Sequence, residues 1–291
     1  MKSASKLLAL AAIIFFCGIA AFSQASPPPS AVSVLVTITS KKGQPVTLTA
    51  SNLKVKADRS PATVASLTPL KDTPLTFVLL LDVSGSDKDK IAFERQAALQ
   101  IFQSLDTGSN RGYFGYFNSK LTISRQPLSL AGVKDALGTL DARGGTALYD
   151  AIVQTCEKVL DPSLQPGVAR RAIIVISDGG DNASHFSLDK AALAPQIAGV
   201  PVFAIQLDNP TPSGDRGRHV LRQFAHTSGG YEISLDGPKE FLPDLLNAID
   251  SQYLLTFVPA KPAHDGKLHP LSVKASMKGL EISAPAHYLA K

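Results

Sequence analysis

The chain has 291 residues, 44% of them hydrophobic and 18% charged, with two cysteines and a formal charge of +5. These values exclude a disordered or disulfide-stapled class and leave one large domain, or a domain with a smaller module, built on a sizeable core. The positive excess is small and dispersed, so no nucleic-acid partner is expected.

Residues 1–25 read as an export signal: Lys2 and Lys6 form the basic start, 7–22 the apolar run, and Ser23-Gln24-Ala25 a small-x-small cleavage site. Cleavage before Ser26 takes the formal charge from +5 to +3 and leaves Cys156 as the one cysteine, with no transmembrane segment and no disulfide. The competing readings are a retained membrane anchor and a lipid-modified Cys17, against which the large Ile14-Phe15-Phe16 before the cysteine argues. The expected location is exported, periplasmic or extracellular.

The mature chain opens on Ser26-Pro27-Pro28-Pro29, a stiff spacer. Strands are predicted at 32–38, near 46–48 and at 53–56, with a linker at 68–74. From 75 the pattern alternates between strand and helix. The run FVLLL at 77–81 is apolar at every position, as in a strand buried on both faces of a parallel sheet.

A helix is predicted over 88–105, an edge hairpin over 113–117 and 121–125, and a helix over 130–140. The stretch ALYDAIVQTCEKVL forms the next helix, with Cys156 on its apolar side as a structural thiol. A strand at 172–176, a helix at 187–198 and a strand at 201–207 precede a polar Pro/Gly loop at 208–217. A helix at 220–225, a strand at 230–233 and a helix at 238–249 complete the centre.

Strands are then expected at 253–258, 268–273 and 280–283. The fold class is therefore α/β, with a doubly wound, mostly parallel sheet flanked by helices at 75–251. A small β module is expected from the flanks 26–74 and 252–291.

Three separated loops share one chemistry. Asp82, Ser84 and Ser86 follow the first buried strand, Thr146 follows Gly144-Gly145, and Asp178 follows the strand at 172–176. Carboxylates and hydroxyls without His or Cys are a hard oxygen set suited to Mg²⁺ or Mn²⁺. The ends of parallel strands are also where ligands bind in open α/β sheets. The plain alternative is that Asp82 and the serines cap the helix that follows. Asp150 and Asp181 are read as a loop staple and a solvated acid, and neither is counted as a ligand.

The segments DVSGS, GGTALYD and ISDGGDN, in that order, resemble the metal-ion-dependent adhesion site of von Willebrand factor type A domains. The flanks TITSKKGQPVTLTASNLKVKAD, QYLLTFVPAKPAHDGKLHPLSVKA and GLEISAPAHY resemble the bacterial VWFA-related group named for acidobacteria. The resemblance implies that Asp82, Ser84 and Ser86 hold the ion, that Thr146 binds it directly or through water, and that Asp178 holds it mainly through water. Asp87 stands where the family commonly has Met; its acid either draws the cation or starts the helix.

The six histidines show no zinc spacing, and Ser84 lies outside a Gly-x-Ser-x-Gly turn. The expected function is thus a non-enzymatic binding or adhesion protein that captures an Asp or Glu of a protein partner through the cation. Arg216 and Arg218 are expected to add contacts to the partner. The alternatives are a metal-assisted hydrolase and a structural protein of cell-envelope assembly.

Overall fold

The computed structural model describes residues 30–40, 46, 48–85, 91–164, 170–206, 212–234 and 241–290, side chains excepted at 212–214 and 234. The export segment, Ser86 and Asp87 lie outside the described residues. The chain opens with β1 (Val32–Ser40), β2 (Leu53–Ala57), β3 (Ser60–Pro69) and β4 (Leu75–Asp82). Then come α1 (Ile91–Leu105), β5 (Arg111–Phe117), β6 (Leu121–Ile123), α2 (Leu130–Gly138), α3 (Leu148–Lys158) and β7 (Arg170–Ser177). They are followed by α4 (Leu188–Ala198), β8 (Val202–Gln206), α5 (Pro212–Ser228), β9 (Tyr231–Ser234) and α6 (Phe241–Asp250). The last elements are β10 (Gln252–Val258), β11 (Leu268–Ala275), β12 (Leu280–Ser283) and β13 (His287–Leu289).

The central sheet has the order β6-β5-β4-β7-β8-β9. Its pairs are parallel except for β5 with β6, the edge hairpin read from the sequence. All eight residues of β4 and all eight of β7 are buried, as central strands with helices on both faces must be. Alternation divides them: Phe77, Leu79 and Leu81 join a core with α1, α2 and α6, while Val78 and Leu80 join a core with α3, α4 and α5. Parity therefore carries Asp82 to the α3 side of the sheet.

The second sheet is antiparallel and seven-stranded, β12-β1-β10-β3-β2-β11-β13. Strands from the two ends of the chain interleave, with β10 between β1 and β3 and β11 beside β2. This corrects the expectation of a small β module, since the sheet has one strand more than the central one. The additions are β3 and β13. The span 68–74 is not simply a linker, because Thr68 and Pro69 end β3; Val46 and Leu48 lie outside the strands.

Arg170, at the start of β7, joins the two sheets. Its guanidinium donates to Gln252 Oε1 at 3.0 Å, to the carbonyls of Lys71 and Thr73 at 2.9 and 3.2 Å, and to that of Ile249 at 2.8 Å. The seven-stranded sheet thus meets the amino ends of the parallel strands. Eight residues of strand, about 26 Å, separate that junction from their carboxyl ends. Among the described residues, no helix is long and apolar enough to cross a membrane.

Candidate functional site

At the carboxyl ends of β4 and β7 three loops are laced together by hydrogen bonds. Asp82 is fully buried. Its Oδ1 accepts the Ser84 amide at 3.0 Å and its Oδ2 accepts the Ser177 hydroxyl at 2.6 Å. Ser177 reaches it because β4 and β7 are in parallel register and Ser177 shares the parity of Ile173 and Val175, which face the α3 side. The same Ser177 oxygen accepts the Gly179 amide at 2.9 Å, so one hydroxyl fixes a carboxylate and shapes the next loop.

The loop after β4 is tied to the one before α3 twice: the Gly85 amide donates to the Gly144 carbonyl at 3.0 Å, and the Arg143 amide to the Val83 carbonyl at 2.9 Å. Gly144 has a φ of +84, a conformation that a side chain would strain. The Gly145 amide donates to Ser119 Oγ at 2.9 Å.

Thr146 is held on both sides of its backbone. Its amide donates to Asn182 Oδ1 at 2.8 Å, while its carbonyl accepts the amides of Asn182 and Ala183 at 2.9 and 3.0 Å. Asp178 turns back on its own loop, accepting the Gly180 amide at 2.8 Å. Ser84, Thr146 and Asp178 are buried beside Asp82, at 1%, 4% and 7% exposure. Of the five residues read as a metal set, the structure brings these four to one end of the sheet; Ser86 lies outside the described residues.

Asp150 and Asp181 are both loop staples, which corrects the reading of one as merely solvated. Asp150 accepts the amides of His185 and Phe186 at 2.9 Å and faces His185 Nδ1 at 3.0 Å. Burial pushes its pKa up, but those amides and the His185 ring outweigh it and hold the carboxyl below its ordinary value. Asp181 accepts the Tyr149 amide at 2.9 Å and the Ser184 hydroxyl at 2.6 Å. Together they pin the start of α3 to residues 181–186, behind Thr146.

Arg216 and Arg218 lie on α5, correcting the polar loop expected through 217. The residue between them, Gly217, is buried against the Asp178-Gly179 backbone, and a Cβ on it would overlap the Asp178 carbonyl oxygen. The two arginines therefore flank the point where α5 rests on the site loop. Cys156 is buried, and burial pushes its thiol pKa up, as expected of a structural residue.

Among the described residues no three His, Cys, Asp or Glu side chains gather as a metal cluster. The site differs from such a cluster in drawing on two carboxylates and on hydroxyls. A buried carboxylate such as Asp82 is costly without compensating hydrogen bonds or a cation. A hard divalent ion fits that donor chemistry. Ser177, Asn182 and Ser119 were not singled out from the sequence, and only the Ser177 parity signalled its place.

Neither a protein-family model nor a curated protein matches the chain. Among solved structures it is similar to a von Willebrand factor type A protein from Catenulispora acidiphila, at 13% identity and a TM-score of 0.51, over 89% of this chain and 74% of that one. It is also similar to the conserved hypothetical protein BatB from Bacteroides thetaiotaomicron, at 19% identity and a TM-score of 0.49, over 60% of this chain and 97% of that one. An aerotolerance-related membrane protein from Bacteroides fragilis matches at 16% identity and a TM-score of 0.48, over 60% of this chain and 98% of that one. The Catenulispora likeness carries the fold: the helix-flanked parallel sheet is a von Willebrand factor type A fold.

Proposed function

We propose that this chain is an exported, non-enzymatic binding protein that captures a carboxylate of a protein partner through a divalent cation, Mg²⁺ or Mn²⁺. The observation that carries this reading is the fully buried Asp82, oriented by the Ser84 amide and the Ser177 hydroxyl where three loops are laced together. Asp82 and Asp178 would supply charge to the ion, while Ser84, Ser86 and Thr146 would supply neutral oxygens. When bound, the cation offers a coordination place to an Asp or Glu side chain of the partner.

The chain's own residues do the holding. Ser177 and the Ser84 amide fix the Asp82 carboxylate, and Asn182 fixes the Thr146 backbone. Arg216 and Arg218, on either side of Gly217, would pair with further acidic groups of the partner and add selectivity. The flanking antiparallel sheet would act as a base that leaves the opposite end of the parallel strands for the partner. The domain limits follow the same division, with the binding domain at 75–251 and the base at 26–74 and 252–291.

The test is retention of a cell-envelope partner on immobilised protein in Mg²⁺, compared with chelator and with Asp82→Ala. The reading expects a captured protein that is lost in both controls and whose capture needs one of its own acidic side chains. Capture that survives chelation and the substitution alike would overturn it.

A further inference from the structure

The outer edge of the central sheet offers a second surface. β6 is the terminal strand there, paired only with β5 among the described residues. The Ser124 amide donates to the Phe114 carbonyl at 2.9 Å. By alternation Thr122 also turns its amide toward β5, and Leu121 and Ile123 face theirs outward. Open amides and carbonyls of this kind are a template for an added strand.

Beside this edge lies a cleft of about 810 Å³ whose lining, among the described residues, includes no Asp or Glu. Its floor is apolar, made by Tyr113, Val159 and the half-buried Leu121 and Ile123, with Leu164 59% exposed at the rim. Arg111, Arg125 and Lys158 line the same cleft. Among the described residues neither arginine makes an ion pair, and Lys158 donates only to the neutral Gln154 Oε1, at 2.7 Å. Three cations without a carboxylate, next to an unpaired strand edge, are complementary to an acidic extended chain.

We propose that β6 docks an extended acidic segment of a partner polypeptide as an added strand. Its backbone would pair with Leu121 and Ile123, one apolar side chain would enter the cleft, and its carboxylates would meet Arg111, Arg125 and Lys158. Alternate side chains of a strand share a face, so the fitting pattern is an apolar residue with acids two positions away. This surface is distinct from the cation site and lies at the side of the sheet, joined to the site loops through the 118–120 turn that carries Ser119.

The experiment titrates residues 26–291 into a fluorescent peptide of about seven residues, Ser-Glu-Ser-Val-Ser-Glu-Ser, with a Glu two positions to either side of Val, read by anisotropy in chelator. A control peptide carries Gln in place of Glu. The Glu peptide is expected to bind about tenfold more tightly than the Gln control, with the difference shrinking as salt is raised. Arg111→Gln combined with Arg125→Gln should remove most of that difference. Ile123→Pro should weaken both peptides, because it deletes an outward amide and leaves the cations in place. Equal affinity for the two peptides would overturn the proposal. So would displacement of the Glu peptide by a DNA oligonucleotide of equal charge, which would mark a general anion surface. Binding that requires Mg²⁺ and is lost in Asp82→Ala would place the peptide at the loop site and also contradict this assignment.

Discussion

Gly217 of α5 lies against the backbone of Asp178 so closely that a Cβ on it would overlap the Asp178 carbonyl oxygen. Gly179 meets Gly217 from the other side, with a φ of +80 that also favours glycine. The helix and the site loop are therefore in direct backbone contact, and a shift in one must move the other.

Gly217→Ala tests that contact. Helix propensity alone would favour Ala by about 1 kcal/mol, whereas overpacking against backbone costs about 1–3 kcal/mol. The clash should win, lowering the melting temperature by about 3 °C and weakening cation binding. A thermal melt that rises to the value expected from propensity would show that α5 stands clear of the loop.

Arg170→Ala should be far more damaging, because the guanidinium of this buried residue serves Gln252 and the carbonyls of Lys71, Thr73 and Ile249 at once. Leaving those acceptors unmatched should cost about 3 kcal/mol. Arg170→Lys should not restore the loss, since an ammonium cannot span a planar fork of partners. Urea unfolding of the three proteins checks this. A lysine variant as stable as the parent would show that charge, not the fork, holds the two sheets together.

In the antiparallel sheet His269 stands between two carboxylates, with Nδ1 3.0 Å from Asp58 and Nε2 3.1 Å from Asp265. Tyr288 donates to the same Asp58 at 3.1 Å, and burial together with that bond pushes its phenol up to about 12. Hydrogen bonds to Asp265 and Asp58 raise the His269 pKa above its ordinary value. A raised folded pKa means that its stabilisation is fully present below about 6.5, the unfolded value, and is lost as pH rises through the folded one. Asp265 is lowered by the Lys267 amide and His269, so its contribution is present above the ordinary Asp value and lost on acidification. NMR titration of the His269 ring should show the upward shift shrinking in Asp58→Asn; an unchanged titration would contradict the pairing.

Much of this architecture was legible because its strongest elements obey one rule. β4 and β7 each carry a continuous apolar run, 77–81 and 172–176, and strands of that kind lie in the middle of a parallel sheet. β3 escaped notice because SPATVASLTP has Pro near its start and at its end and is largely exposed, so its pairing with β10 depends on a strand about 190 positions away in the chain. The start of α5 was hidden by turn-forming Pro and Gly residues, although Pro at a first helical position is itself a start signal. At the site, the loops announced themselves by residue type. The roles of Ser119 and Asn182 did not, because they depend on which loops meet in space.

The most direct measurement is calorimetric titration of Mg²⁺ and Mn²⁺ into residues 26–291 and into their Asp82→Ala variant, with circular dichroism to show that both are folded. Asp82 is fully buried and accepts the Ser84 amide and the Ser177 hydroxyl at the meeting point of the three loops. One saturable cation site is expected in the parent and none in the variant, with Ser84→Ala and Thr146→Ala weakened in between. Equal heats from the parent and Asp82→Ala would contradict the cation site and the capture mechanism that rests on it.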